Sequence, residues 1–180
     1  DDAFCRDGRG RPTLRGTSLT GALLDSIRKS GFGDLPPTVT GDARLKRNDR
    51  FHGESVLRVW TTHPEHCWHR HDVDYLPEFL PRAGVGIRQD TGAAKDGALY
   101  DLEVLPAGER WPLIVELDLW RYQQLHSGRA HWSAAQLLAA IEAGLEEWRR
   151  QRCWIGRGVA RGLGWMALLE FKPVQLSNAV

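Results

Sequence analysis

The chain is poor in cysteine, in lysine and in net charge. Its 180 residues hold three cysteines, Cys5, Cys67 and Cys153. An odd number so widely spaced gives no disulfide framework and points to a reducing compartment, so a cytoplasmic location is expected. No long apolar run and no secretory leader are visible, which excludes a membrane-spanning helix on sequence grounds. The chain starts at Asp1 rather than at a methionine, so its beginning is expected to be lost or processed. The formal net charge is only +1, from 24 basic and 23 acidic residues. That excludes the strongly basic surface of a free-standing nucleic-acid binder. Two nucleotide signatures are also missing. No glycine fingerprint sits between a strand and a following helix, as a dinucleotide fold needs. No glycine loop ends in Gly-Lys-Ser/Thr, as a mononucleotide P-loop needs.

What is present is glycine and arginine. At 42% hydrophobic and 26% charged the composition is that of an ordinary globular chain. Its length suits one domain, 1–180, with insertions at 33–50 and 61–82. Of the basic residues 20 are arginine and four are lysine. That bias fits bidentate contacts to phosphate or carboxylate, and equally a GC-rich coding sequence. Trp154 to Trp165 concentrates the pattern, with Gly156, Gly158, Gly162 and Gly164 around Arg157 and Arg161. Glycine lets backbone approach a ligand at positive φ, and the arginine fork matches phosphate. A helical pattern precedes this stretch and an apolar run follows it, so a nucleotide cofactor is disfavoured. A longer polyanion is the better ligand, and a plain turn before a strand is the alternative.

Read in order, residues 1–16 are polar and irregular. A helix follows, with Thr17 or Ser18 as cap, Leu19, Leu23 and Ile27 on one face, and Gly31 at its end. A helix led by Gly-Thr-Ser is either an anion site or an ordinary capped helix. Residues 33–48 form a loop with a basic cluster, and residues 50–60 hold a short strand. His63 to His71 packs four histidines and Cys67 into nine residues. These are zinc-ligand types, but no second ligand pair is visible, so bound zinc and a solvated loop both remain open. Residues 83–104 read as a long hairpin with two Asp/Thr-Gly turns, and with Arg88 and Lys95 near its polar tip. Trp111 to Trp120 alternates as a strand. Ser133 and Gln136 make a capping box for a helix with Leu137, Leu138, Ile141, Leu145 and Trp148 on its apolar face. The glycine stretch and a strand over Trp165 to Phe171 complete the order. With one strand added before Asp1, this becomes β-α-β-β-α-β. The expected class is α+β, a ferredoxin-like (RRM-like) palm whose first strand is missing, with a protruding thumb hairpin.

Five segments in this order carry a resemblance. They are Arg6-Asp-Gly-Arg-Gly-Arg-Pro-Thr-Leu-Arg-Gly-Thr-Ser-Leu-Thr-Gly-Ala-Leu-Leu24, Phe51-His-Gly-Glu-Ser-Val-Leu-Arg-Val59, Asp90-Thr-Gly-Ala-Ala-Lys-Asp-Gly-Ala-Leu-Tyr100, Glu103-Val-Leu-Pro-Ala-Gly108, and residues 155–164. Together they resemble the RAMP superfamily of CRISPR-associated proteins, and within it the Cas seven backbone family of type III effector complexes. The chain departs from that pattern at its first helix. The family usually shows Pro-Gly-Ser-Ser-Leu-Lys-Gly with an arginine one turn on. Here the residues are Arg15-Gly-Thr-Ser-Leu-Thr-Gly21, and Leu24 stands at the arginine position.

The resemblance implies a repeating subunit that binds guide CRISPR RNA beside neighbouring copies and other effector subunits. It implies contacts to that RNA from Arg6, Arg15, Ser18, Arg88, Lys95, Gly156, Arg157, Gly158 and Arg161. In the type III branch an aspartate ahead of the first motif cuts bound target RNA, and Asp1, then Asp2, match its position. A carboxylate there can take the 2′-hydroxyl proton or hold a divalent metal such as Mg, with Arg6 stabilising charge on phosphorus. The implied activity is a metal-dependent endoribonuclease. RNA binding itself needs no cofactor, no metal ligands are assigned, and structural zinc stays open. Two alternatives stand beside it. One is a non-cleaving architectural subunit of the same kind of complex. The other is a guide-processing nuclease using a histidine base, for which His52 and His126 are the nearest candidates.

Overall fold

The computed structural model describes residues 4–41, 55–65, 79–125, 132–156 and 162–175. In chain order the elements are α1 (Gly16–Ile27), a π turn over Arg28–Phe32, α2 (Pro37–Thr40), β1 (Leu57–Val59), β2 (Leu80–Ile87), β3 (Ala94–Val104), β4 (Val115–Leu117), α3 (Leu119–Leu125), α4 (Ala134–Arg149), β5 (Cys153–Trp154) and β6 (Trp165–Met166). The class is α+β. Among the described residues the strands pair as three two-stranded antiparallel sheets, β1–β4, β2–β3 and β5–β6. The chain divides into two units, Asp1–Gly16 with Trp60–Ile114, and Thr17–Val59 with Val115–Val180.

The second unit holds the helical core. Leu19, Leu23 and Ile27 recur every four residues along α1 and are at most 2% exposed. On α4 the buried set is Leu137, Ala140, Ile141, Gly144, Leu145 and Trp148. Each large apolar side chain so buried contributes about 1.5–3 kcal/mol. The two helices approach most closely at Gly144. A Cβ there would lie 2.6 Å from Ile27 Cγ1 and 3.1 Å from Leu23 Cδ1, so glycine is required by space rather than by φ. One turn on, the Trp148 indole Nε1–H donates to Ser26 Oγ at 2.8 Å inside the core. The capping box of α4 forms as the sequence indicates. Ser133 Oγ accepts from the Gln136 amide, and the Gln136 side chain accepts from the Ser133 amide.

The N-terminus of α1 differs from expectation. Thr17 and Ser18 are helical residues, because the helix already begins at Gly16. The Gly16 amide donates to Thr61 Oγ1 at 3.0 Å, so a side chain 45 residues away satisfies a first-turn donor. At the other end the α-helix stops at Ile27, and the π turn runs on to Phe32 through Gly31 at φ 95°.

Two strands are shorter than their alternation suggests. The 111–120 pattern yields only Val115–Leu117, paired in register with Leu57–Val59. Asp118 ends it. Its amide donates to Val56 O, and its carboxylate accepts from the Arg121 amide at 2.8 Å, starting α3 one residue later. The 165–171 run yields only Trp165–Met166, opposite Cys153–Trp154. Its partner strand starts late, because Gln151 turns the chain at φ 62° after α4. Beyond Met166 the Leu168 amide donates instead to Trp148 O at 3.1 Å.

In the first unit the 80–104 hairpin matches the expected one and begins three residues earlier, with Leu80 opposite Val104 and Val85 opposite Leu99. Its tip is closed by Arg88 N–H to Ala93 O and by Gly92 N–H to Arg88 O, both 2.9 Å. Gly92 has φ 67° there. Asp96-Gly97, the second turn expected from sequence, lies inside β3 instead. The register jumps from Val85–Leu99 to Ile87–Ala94, so residues 95–98 bulge against the single Gly86. Nearer the base the Tyr100 ring lies across Gly84, where any Cβ would sit 2.4 Å from Tyr100 Cζ.

The Gly144 contact gives a direct test of the core. Gly144→Leu is expected to lower stability by about 2–3 kcal/mol through overpacking against Leu23 and Ile27, read as a lower urea midpoint at unchanged slope. An unchanged midpoint would show that the helices do not meet there.

Candidate functional site

The described ends of the glycine-rich segment form a two-residue strand stem shortly after α4. Cys153 pairs with Met166 and Trp154 with Trp165, and the Ile155 amide donates to Gly164 O at 2.8 Å. Gly156, Gly162 and Gly164 take φ of 88°, 74° and 74°, where side chains rarely sit. A Cβ on Gly164 would lie 2.0 Å from Ile155 O, so that glycine is also fixed by space. Gly156 is exposed where the stem opens. Arg157, Gly158 and Arg161 lie outside the described residues. The stem is anchored on one side by Cys153, which is 2% exposed and whose thiol burial pushes up to about 12. On the other side the Trp165 Nε1–H donates to Gln151 O at 2.9 Å. Sequence reasoning passed over the Trp154–Trp165 pairing, because two strands of two residues leave no periodic signal.

The arginines at the end of α4 are neutralised locally. Arg149 and Arg150 pair with Glu146, and Arg150 and Arg152 pair with Glu147. Ser18, also in this unit, is exposed in the first turn of α1.

In the first unit the structure brings Arg6 to Glu103 of β3. Its two terminal nitrogens meet the two carboxylate oxygens at 2.6 and 3.2 Å, and the Phe4 amide donates to Glu103 Oε2 at 2.9 Å. The guanidinium lies 4.2 Å from the centre of the Phe79 ring, and Phe4 packs between Phe79 and Trp111. The side-chain bond to Glu103 raises the Arg6 pKa, and the same bond, aided by Phe4, lowers that of Glu103. Arg6 is therefore bound twice over inside the chain, at the base of the hairpin. Arg15 is exposed and its Nε–H donates to Cys5 Sγ at 3.1 Å. Arg88 and Asp90 form a bidentate pair at the exposed hairpin tip, and Lys95 is exposed in the β3 bulge.

Asp7, which sequence reasoning also passed over, ties the first loop together. It accepts from the Arg9 and Arg11 amides at 2.9 Å and pairs with the Arg11 guanidinium at 2.8 Å. Burial would raise its pKa, but the Arg11 and Arg9 bonds outweigh that and lower it. Of the histidine-rich segment, His63 is described. Its Nδ1 lies 3.0 Å from Pro12 O, so that nitrogen carries the proton in this contact, and its Nε2 is 3.8 Å from Asp7 Oδ2. His66, Cys67, His69 and His71 lie outside the described residues, as do Asp1, Asp2, His52 and His126. Among the described residues no group of three or more metal-ligating side chains is assembled, and no helix is long and apolar enough to cross a membrane.

The RAMP superfamily model matches residues 3–167, and the chain belongs to that superfamily, which implies a CRISPR-associated role in RNA binding. No curated protein matches the chain.

Two outcomes are expected. Glu103 has its pKa lowered by folding, so its pair with Arg6 stabilises the fold above the ordinary carboxylate range, and this is lost as pH falls through the lowered value. Hydrogen-exchange protection of the β3 amides near Glu103, taken relative to the intrinsic rate at each pH, should fall as pH drops below about 4, and Glu103→Gln should abolish that pH step. Gly164→Ala should break the Ile155–Gly164 closure and release the Cys153 thiol to alkylation at pH 8, while the α1–α4 core still melts cooperatively.

Proposed function

We propose that this chain is a guide-RNA-binding backbone subunit of a type III CRISPR effector complex. The palm is ferredoxin-like, and the 80–104 hairpin is the thumb that reaches toward RNA and a neighbouring copy. The observation that carries the reading is the glycine turn. Its strand stem, its left-handed glycines and its position after α4 suit a backbone cradle for phosphates. The family match, over residues 3–167, takes in that turn, the hairpin and α1. In this reading Arg157 and Arg161 hold the guide from the turn. Gly156 and Gly158 let the backbone come close, and Arg15, Ser18, Arg88 and Lys95 add contacts. Arg6 contributes only where phosphate displaces Glu103. The complex works in the cytoplasm as a ribonucleoprotein with sister subunits.

Cleavage of bound target RNA is assigned to Asp1 or Asp2. One of these carboxylates takes the proton of the target 2′-hydroxyl. That oxygen attacks phosphorus, the 5′-oxygen leaves, and a 2′,3′-cyclic phosphate results. A divalent cation such as Mg is the ion these carboxylates would hold. The second reading, an architectural subunit that binds without cutting, is favoured if the acidic pair is idle. A histidine-based guide nuclease ranks below both, because its nearest candidates, His52 and His126, lie away from the first helix and the glycine-rich segment in the chain.

The purified chain is expected to carry guide-length RNA and sister subunits. Arg157→Ala with Arg161→Ala should flatten the log–log salt dependence of single-stranded RNA binding by about 1.4, two phosphates at roughly 0.7 each. An unaltered slope removes the turn from the RNA site. Asp1→Ala with Asp2→Ala should abolish target cutting and leave assembly intact, and persistent cutting would move the chemistry elsewhere.

A further inference from the structure

The stem of the glycine turn carries two tryptophans directly opposite one another, Trp154 on β5 and Trp165 on β6. Directly opposed residues of an antiparallel pair share a face. The Ile155 amide bonds to Gly164 one position on, which makes Trp154–Trp165 a pair without mutual backbone hydrogen bonds. In such pairs the Cα atoms approach most closely. Yet the rings are 42% and 54% exposed, and among the described residues neither makes a ring–ring contact. Two indoles left this open on one face of a two-residue strand pair are costly unless something covers them.

Their size says what could. Each indole leaves about 100 Å² in water, given a full side-chain area of up to about 250 Å². Together that is roughly a quarter of the ~800 Å² per partner that a stable protein interface needs. It is enough for one planar ring system. The Trp165 Nε1–H is already spent on Gln151 O, so this ring is fixed and offers its π surface rather than a hydrogen bond. A ligand that presents a π face, and is held nearby by its phosphates, satisfies both facts.

We propose that Trp154 and Trp165 form a stacking platform for one unpaired nucleobase of the RNA whose backbone the adjoining turn holds. Trp154 is the contacting ring, and Trp165, its register partner, is held in place by Gln151 O. This rests on the RNA-binding reading above. Recognition is by stacking, so it tolerates any base and adds no phosphate contact.

The test compares binding of the full chain, by fluorescence anisotropy, to a guide-length oligouridylate and to the same strand with abasic riboses. Trp154→Ala should weaken binding to the oligouridylate by roughly fivefold to a hundredfold. It should leave abasic binding and the salt slope unchanged. Trp154→Phe should restore most of the loss. Trp154→Leu, which keeps apolar bulk without an aromatic face, should not. Equal losses on both strands, rescue by leucine, or no loss would overturn the platform while leaving RNA binding in place. Intact RNA affinity with loss of co-purifying subunits would reassign the pair to a protein contact and overturn it too. If the unaltered chain binds neither strand, the RNA reading itself falls and takes the platform with it.

Discussion

Trp148 is the point on which the second unit depends. Its indole reaches across to Ser26 of α1 in the core, one turn beyond the close approach at Gly144. Its carbonyl accepts from the Gln151 and Leu168 amides, which fixes the chain just after α4 and just after β6. A single residue thus couples helix packing to the two strands that carry the glycine turn. The buried hydrogen bond is worth about 1 kcal/mol by itself. Its larger effect is geometric, since it sets the direction in which α4 hands the chain to the stem.

The near-balanced charges are largely paired with one another in the fold. Arginine after arginine is paired within its own neighbourhood: Arg6 with Glu103, Arg11 with Asp7, Arg28 with Asp25 and Asp34, Arg88 with Asp90, and the α4 end with Glu146 and Glu147. Most of these pairs are exposed, where an ion pair is worth about 0–1 kcal/mol. Such pairs cost little to open. Arg6 differs, because stacking on Phe79 and a bidentate partner hold it more firmly.

Local signals were legible because they act over a few residues. The four-residue recurrence of Leu19, Leu23 and Ile27, the Ser133–Gln136 box and the Thr91-Gly92 turn each encode their own geometry. Alternation misled where a side chain intervened. Asp118 fits the strand pattern of 111–120 equally well as a cap, and in the structure it caps. Likewise Asp96-Gly97 has the composition of a turn but serves as a bulge, because the register of β2 leaves β3 residues to spare.

By itself the sequence determined α1, α4 with its capping box, the hairpin and the place of the glycine-rich segment after α4, while α2, α3 and β5 were not read from it. Periodicity and capping are properties of neighbouring residues, so no fold is needed to read them. The tertiary structure alone decided which arginines are spent, where the strands stop and which aromatics meet. Arg6 finds Glu103 across 97 positions, and Trp148 finds Ser26 across 122. Trp154 pairs in register with Trp165 in two strands of two residues each, flanked by Gly156, Gly162 and Gly164 at positive φ. Those pairings depend on how loops close, and loop closure leaves no repeating pattern in the chain.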